Sequence, residues 1–251
     1  MNLELSGKVA VVTGSSRGIG FAIAQALHAQ GCVLVLNGRQ PGELAQAASG
    51  LPGALAVCAD MTLENGARDL VAQALERHGR IDLLVCNVGS GRSVPPGQED
   101  SYEWQRMLGL NLLATTNAVQ AASTALQASR GSVVCISSIC GVEVIHGAPV
   151  TYSAAKAALN AYVRGVARPL GKAGVRINAV APGNILFPGS VWQRKLAENA
   201  AAVDAMCQRE VALGRLGTPQ DVADLVCYLA SPRAAFVTGA TWAVDGGQVH
   251  A

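Results

Sequence analysis

Tyr152 and Lys156 stand four residues apart in a run of helical composition, 151–170, so both side chains share one face of the helix. A phenol ordinarily titrates near about 10. An ammonium beside it favours the phenolate, so the pair predicts an acid or base usable near neutral pH. A surface Tyr/Lys pair would show the same spacing, so the surroundings decide its meaning. The run GSVVCIS, 131–137, reads as a strand whose polar end brings Ser137 and Ser138, and either hydroxyl could hydrogen-bond a substrate oxygen. Asn111 opens a long helical segment, 111–129.

A second constellation lies near the start. KVAVVT, 8–13, reads as a strand and runs into Thr13-Gly14-Ser15-Ser16-Arg17-Gly18-Ile19-Gly20, after which helical composition begins. Gly14 can turn without a Cβ clash, and Gly18 and Gly20 permit close approach of a phosphate and of a neighbouring strand. The helix N-terminus offers unpaired N–H groups to a pyrophosphate. Strand, glycine cluster and helix in this order predict a dinucleotide site. The next strand ends at Asn37-Gly38-Arg39, with no Asp or Glu to accept from ribose hydroxyls. Arg39 and Arg17 can instead donate to a 2′-phosphate, which favours NADP(H) over NAD(H); the alternative for Arg39 is a solvated surface side chain. Asp60 follows the third strand and could accept from an adenine amino group, with Met61 bordering the ring. Asn87 and Gly89 follow the fourth, where glycine lets cofactor and backbone touch.

The elements that must hold these residues alternate along the chain. CVLVLN (32–37), ALAVC (54–58), IDLLVCN (81–87) and VRINAVA (175–181) join 8–13 and 131–137 as strands. Helical composition covers 18–30, 41–49, 62–78, 99–129, 151–170 and 219–230. Several strands are apolar nearly throughout, as expected when helices cover both faces of a parallel sheet. The pattern predicts one doubly wound α/β domain over residues 1–251, with no linker or repeat. Half of the 251 residues are hydrophobic and 14% are charged, which excludes disorder. A formal charge of +2 argues against nucleic acid as a partner. No apolar run is long enough to span a membrane, and the first residues lack a secretory pattern, so a cytoplasmic enzyme is expected. The seven cysteines form no CxxC pair and are expected in the core. His28, His78, His146 and His250 lack ligand spacing, so no metal site is expected.

The stretch 183–217 departs from the alternation. It passes through NILFPGS, carries a helix from about Val191 to Arg209 and ends at GRLGTP. An insertion after a strand's carboxyl end lies where ligands bind in an open sheet. Leu186, Phe187, Val191, Trp192, Leu196 and Met206 give it an apolar side, which favours a substrate lid over a surface hairpin.

Together these residues resemble the classical short-chain dehydrogenase/reductase family across essentially the whole chain. Thr13-Gly14-x-x-x-Gly18-Ile19-Gly20, Asp60, Asn111, Ser138, Tyr152-x-x-x-Lys156 and Pro182-Gly183 fall in that family's order. The resemblance implies a Rossmann fold of about seven parallel strands, with Asp245-Gly246-Gly247 after the last. It also implies Tyr152 as proton donor in reduction and Ser138 as the group that positions the carbonyl, since Ser138-x-x-Gly141 matches the family's arrangement. Lys156 would hold the nicotinamide ribose and lower the Tyr152 pKa, and Asn111 would support a water-linked relay. The cofactor-binding set so implied is Gly14, Ser16, Arg17, Gly18, Ile19, Gly20, Arg39, Asp60, Met61, Asn87, Gly89, Tyr152, Lys156, Pro182, Gly183 and Ile185.

Two features depart from the family pattern. Cys86-Asn87-Val88-Gly89 replaces an Asn-Asn-Ala-Gly run, and Phe187 stands where members often carry a threonine. Gly214-Arg215-Leu216-Gly217-Thr218-Pro219 looks most like the 3-oxoacyl-[acyl-carrier-protein] reductases, which implies an NADP(H)-dependent reduction of a ketone, a 3-oxoacyl thioester among the candidates. The alternatives are an NADP-dependent dehydrogenase of a small secondary alcohol, sugar or polyol, and a non-enzymatic cofactor-binding protein. The resemblance further implies a homotetramer, with alanine-rich 114–128 and the helix at Tyr152 as packing surfaces and a dimer as alternative.

Overall fold

The computed structural model describes residues 2–249, so His250 lies outside it. Seven strands form one sheet, β1 (Val9–Val12), β2 (Val33–Gly38), β3 (Leu55–Cys58), β4 (Leu83–Cys86), β5 (Ser132–Ile136), β6 (Arg176–Pro182) and β7 (Thr241–Val244). The order across the sheet is β3-β2-β1-β4-β5-β6-β7, and every pair is parallel. The helices are α1 (Gly18–Ala29), α2 (Pro41–Ser49), α3 (Glu64–His78), α4 (Ser101–Leu108), α5 (Ala114–Ser129), α6 (Val150–Lys172), α7 (Val191–Glu210) and α8 (Pro219–Ala230). This is the doubly wound Rossmann-type architecture expected from the alternation.

Strand periodicity sorts the core into two layers. Ala10 and Val12 of β1 face one way with Ile23 and Leu27 of α1 and Val222 and Val226 of α8. Val9 and Val11 face the other, with Leu70 of α3, Val119 of α5 and Leu159 of α6. Successive strand side chains point to opposite faces, so a strand covered on both sides must be apolar at every position. β7 escapes this rule because it is an edge: Trp242 and Ala243 are exposed, and its sequence alone carries no strong strand signal.

The sheet order reverses between β1 and β4, and the loops following these two strands diverge into a crevice at their carboxyl ends. Thr13 ties that crevice together. Its Oγ1 accepts from Asn87 N at 3.0 Å and Val88 N at 3.3 Å, while Asn87 Nδ2 donates to Gly14 O at 2.9 Å.

Two details differ from the expectation. Asn111 does not open a helix. It lies within a π-turn, Gly109–Leu113, joining α4 to α5, so the helical run starts at Ser101 and passes through Asn111. Helix α7, in the 183–217 insertion, is broken at Asn199, whose backbone is extended and whose Oδ1 accepts from Ala202 N at 3.0 Å, capping the second half. Among the described residues no helix is long and apolar enough to cross a membrane.

Candidate active site

Gly14 and Gly18 adopt positive φ, +60° and +59°, which only glycine takes without strain. Gly20 permits a close approach of a different kind: a Cβ there would lie 2.3 Å from both Asn87 Nδ2 and Gly14 O. At the start of α1 no side chain caps the helix and no acidic residue occupies the first turn. Its N–H groups and positive dipole end therefore face the crevice unopposed, a cradle suited to a diphosphate. Ser16 and Ile19 are half-buried beside it, and Ser16 Cβ would be 3.4 Å from a Cβ on Gly38 at the end of β2.

Arg39 leaves the end of β2 with its side chain 64% exposed and lies 3.6 Å from Asp60 Oδ2. Burial alone would raise the Asp60 pKa, but hydrogen bonds from Thr62 and the charge of Arg39 hold it below its ordinary value. The two residues expected at opposite parts of an adenosine phosphate are thus already paired. Arg17 Nη1 lies 3.9 Å from a Cβ placed on Gly189, in the 183–217 insertion. Met61 and Ile185 have their side chains buried in the two core layers. The Asn87 amide is committed to the glycine turn.

Asn37 carries a role that strand reading missed. It is buried; its Oδ1 accepts from Gly14 N at 3.3 Å, and its Nδ2 donates to Val57 O at 3.2 Å and Ala59 O at 3.0 Å. A polar residue in a strand otherwise apolar was the available signal.

At the other end of the crevice Ser138, Tyr152 and Lys156 meet. The structure separates the two serines. Ser137 is buried and turns its Oγ towards Lys156 O at 3.5 Å, whereas Ser138 Oγ accepts from Cys140 N at 3.2 Å and hydrogen-bonds the Tyr152 phenol. Lys156, 3% exposed, donates from Nζ to Ile136 O at 2.7 Å and lies 5.9 Å from the centre of the Tyr152 ring.

The electrostatics reverse one expectation. Burial pushes the Tyr152 phenol up to about 12, against the lowering effect of the Ser138 hydrogen bond. Burial pushes the Lys156 ammonium down to about 8. The ammonium was expected to depress the phenol, but its hydrogen bond turns it to a strand carbonyl, and desolvation dominates both groups.

Gly89 brings the loop after β4 over this pair: a Cβ there would stand 2.8 Å from Asn111 Oδ1 and 3.1 Å from Lys156 Nζ. Asn111 is fully buried and holds that loop, its Oδ1 accepting from Ser90 N at 3.0 Å and its Nδ2 donating to Ser90 O at 3.2 Å. Pro182 ends β6, and Gly183 lets Asp245 approach, since a Cβ would lie 2.8 Å from Asp245 Cβ. The apolar residues of the 183–217 insertion, Leu186, Phe187, Val191, Trp192, Leu196 and Met206, are all half-buried. Of the cysteines, Cys58 is exposed and Cys140 half-buried beside Ser138, while the other five are buried as expected.

An uncapped helix start at one end of the crevice and a Ser/Tyr/Lys cluster at the other define a nucleotide-dependent oxidoreductase. Residues 14–249 match the family described as Enoyl-(Acyl carrier protein) reductase. The chain belongs to this family of short-chain dehydrogenase/reductase oxidoreductases.

Relatives span nearly its full length. It is 39% identical over 244 residues to a protein of Streptomyces violaceoruber assigned as a ketoacyl reductase of the granaticin polyketide synthase, covering 95% of both chains. It is 34% identical to the L-fucose dehydrogenase of Bos taurus, covering 98% of this chain and 91% of the relative. The crystal structure of L-sorbose reductase from Gluconobacter frateurii, complexed with NADPH and L-sorbose, superposes with a TM-score of 0.94 at 29% identity, covering 100% of both chains.

Proposed function

We propose that this enzyme interconverts a ketone and a secondary alcohol on a sugar or polyol, using NADP(H). The observation that carries the reading is the full-length likeness to a reductase holding NADPH and L-sorbose, supported by the relationship to L-fucose dehydrogenase. Bound NADP(H) supplies or accepts the hydride. The Gly14–Gly20 turn and the start of α1 hold its diphosphate, and Arg39, with no acid on β2 to oppose it, meets the 2′-phosphate. Gly89, Pro182, Gly183 and the backbones of Met61 and Ile185 line the rest of its groove.

In reduction Tyr152 gives its proton to the developing alkoxide, and Ser138 hydrogen-bonds the same oxygen. A phenol held near about 12 stays protonated throughout the physiological range, so the acid is present before substrate arrives. Lys156 binds the nicotinamide ribose and, once turned from Ile136 O, stabilises the phenolate left behind. Asn111 fixes the loop above Lys156 and supports proton return to it.

A second reading, reduction of a 3-oxoacyl thioester, draws on the ketoacyl reductase relative and on the half-buried apolar side of the lid at 183–217. A panel of L-sorbose, other ketoses and acetoacetyl thioester with NADPH, and polyols with NADP⁺, separates the two. Ketose or polyol turnover with an inert thioester supports the first; the opposite outcome supports the second. A homotetramer is part of the proposal, supported by large exposed apolar side chains: Phe236, which precedes the edge strand β7; Leu113, which leads into α5; and Tyr102 of α4. Sedimentation showing only monomer would refute it.

A further inference from the structure

Glu103 of α4 takes no part in the steps above, yet it is only 7% exposed. A buried carboxylate is costly unless donors surround it, and here they do. Arg106, one turn on, brings Nε to Oε2 at 2.7 Å and Nη2 to Oε1 at 2.6 Å. Ser93 Oγ donates to Oε1. Arg106 Nη2 also donates to Arg92 O at 2.8 Å, so the same ion pair grips the loop that follows β4.

Ser93 Oγ lies 2.8 Å from Thr151 Oγ1, a separation at which either could donate. The carboxylate decides the direction. An ionised carboxylate only accepts, so the single Ser93 proton goes to Glu103 and Thr151 must be the donor to Ser93. Hydrogen bonds from Arg106 and then Ser93 hold the Glu103 carboxyl at about 2, so the chain keeps this sense at working pH. Thr151 is fully buried in the first turn of α6, and the next residue is Tyr152. The loop gripped by Arg106 also borders the phenol: a Cβ on Gly91 would lie 3.7 Å from Tyr152 Cε1.

We propose that Glu103 is a positioning residue for the reaction, setting the first turn of α6 through Ser93 and Thr151 and so fixing the Tyr152 phenol beside Ser138. The proposal rests on the reading of Tyr152 as proton donor. It assigns a functional consequence to residues 58 positions apart, Ser93 and Thr151, that never approach the glycine turn in sequence.

The test uses full-length Thr151→Val, Thr151→Ser, Glu103→Gln and the double variant Glu103→Gln/Thr151→Val, on a ketone that the wild type reduces. NADPH affinity by fluorescence and thermal stability are measured beside kcat. Thr151→Val keeps the side-chain shape and loses the donor. It should lower kcat roughly 10- to 100-fold, since a misplacement of about an ångström has that effect, while NADPH affinity stays at the wild-type value. Thr151→Ser should restore kcat. Glu103→Gln should resemble Thr151→Val, and the double variant should be no worse than either, because both break one chain. Wild-type kcat in Thr151→Val overturns the proposal. So do losses of kcat and NADPH affinity that simply follow thermal stability. Should Glu103→Gln not fold, the Thr151 pair decides alone. Tyr152→Phe distinguishes the two levels: if it is inactive while Thr151→Val is normal, only the positioning role falls; if it is fully active, the premise and the proposal fall together.

Discussion

The ring of Phe187 lies against Gly18, so close that a Cβ on the glycine would stand 2.7 Å from Phe187 Cε2. The 183–217 insertion thus rests on the glycine turn, and Arg92 Nη2 ties it further by donating to Gly189 O at 3.2 Å. Gly18 answers two demands at once, the contact and a φ of +59°. Gly18→Ala should destabilise the protein by about 1–2 kcal/mol through the left-handed backbone and abolish NADPH binding. Adding Phe187→Ala relieves the contact but not the backbone. The double variant should therefore regain some NADPH affinity in a titration without regaining wild-type stability by denaturant unfolding.

Tyr152→Phe removes the hydroxyl and nothing else. Turnover should fall at least about 100-fold, the low end of general-acid effects, with NADPH binding largely intact. Steady-state kinetics beside a binding titration checks both halves of this expectation.

Arg39 is already engaged with Asp60 at 3.6 Å, and a 2′-phosphate would replace a weak exposed pair by a stronger charge-assisted one. Arg39→Ala should weaken NADPH binding by about tenfold and leave NADH nearly unchanged, since a charged hydrogen bond contributes about 1.5 kcal/mol or more. Parallel titrations with both cofactors measure the difference. Equal losses for the two would contradict a phosphate-reading role.

Burial brings the Lys156 ammonium from 10.5 to about 8. Between those values the unfolded chain holds a proton that the folded protein lacks, so this group makes stability rise with pH across the window. Tyr152 acts in the opposite sense only above its ordinary value of 10, where an unfolded phenol ionises and the folded one does not. Lys156→Met should therefore flatten the stability profile between pH 8 and 10. The difference between wild-type and variant unfolding free energies, taken at each pH, isolates the effect from other titrating groups.

Local sequence fixed the chemistry that depends on neighbours along the chain. The apolar runs had to be strands covered on both faces, the glycine turn had to join a strand to a helix, and Tyr152 and Lys156 had to share a helix face. The missing acid after β2 was equally legible, because one position decides it. β7 was expected only from the family resemblance, since an exposed edge strand lacks the apolar pattern of a covered one.

Contacts between distant segments decided the rest. The family resemblance already singled out Ser138, and the fold supplies the physical reason: Ser137 Oγ is turned to Lys156 O while Ser138 lies against the Tyr152 phenol. Asn111 clasps Ser90, 21 residues away, from within a π-turn, and Arg39 finds Asp60 across two strands. Desolvation, not the charge of Lys156, sets the Tyr152 pKa, and desolvation exists only once the layers have packed. Spacing along a helix or strand reports what one segment does to its own side chains. Burial, pairing and the direction of a proton depend on which segments the sheet order brings together, and packing alone fixes that.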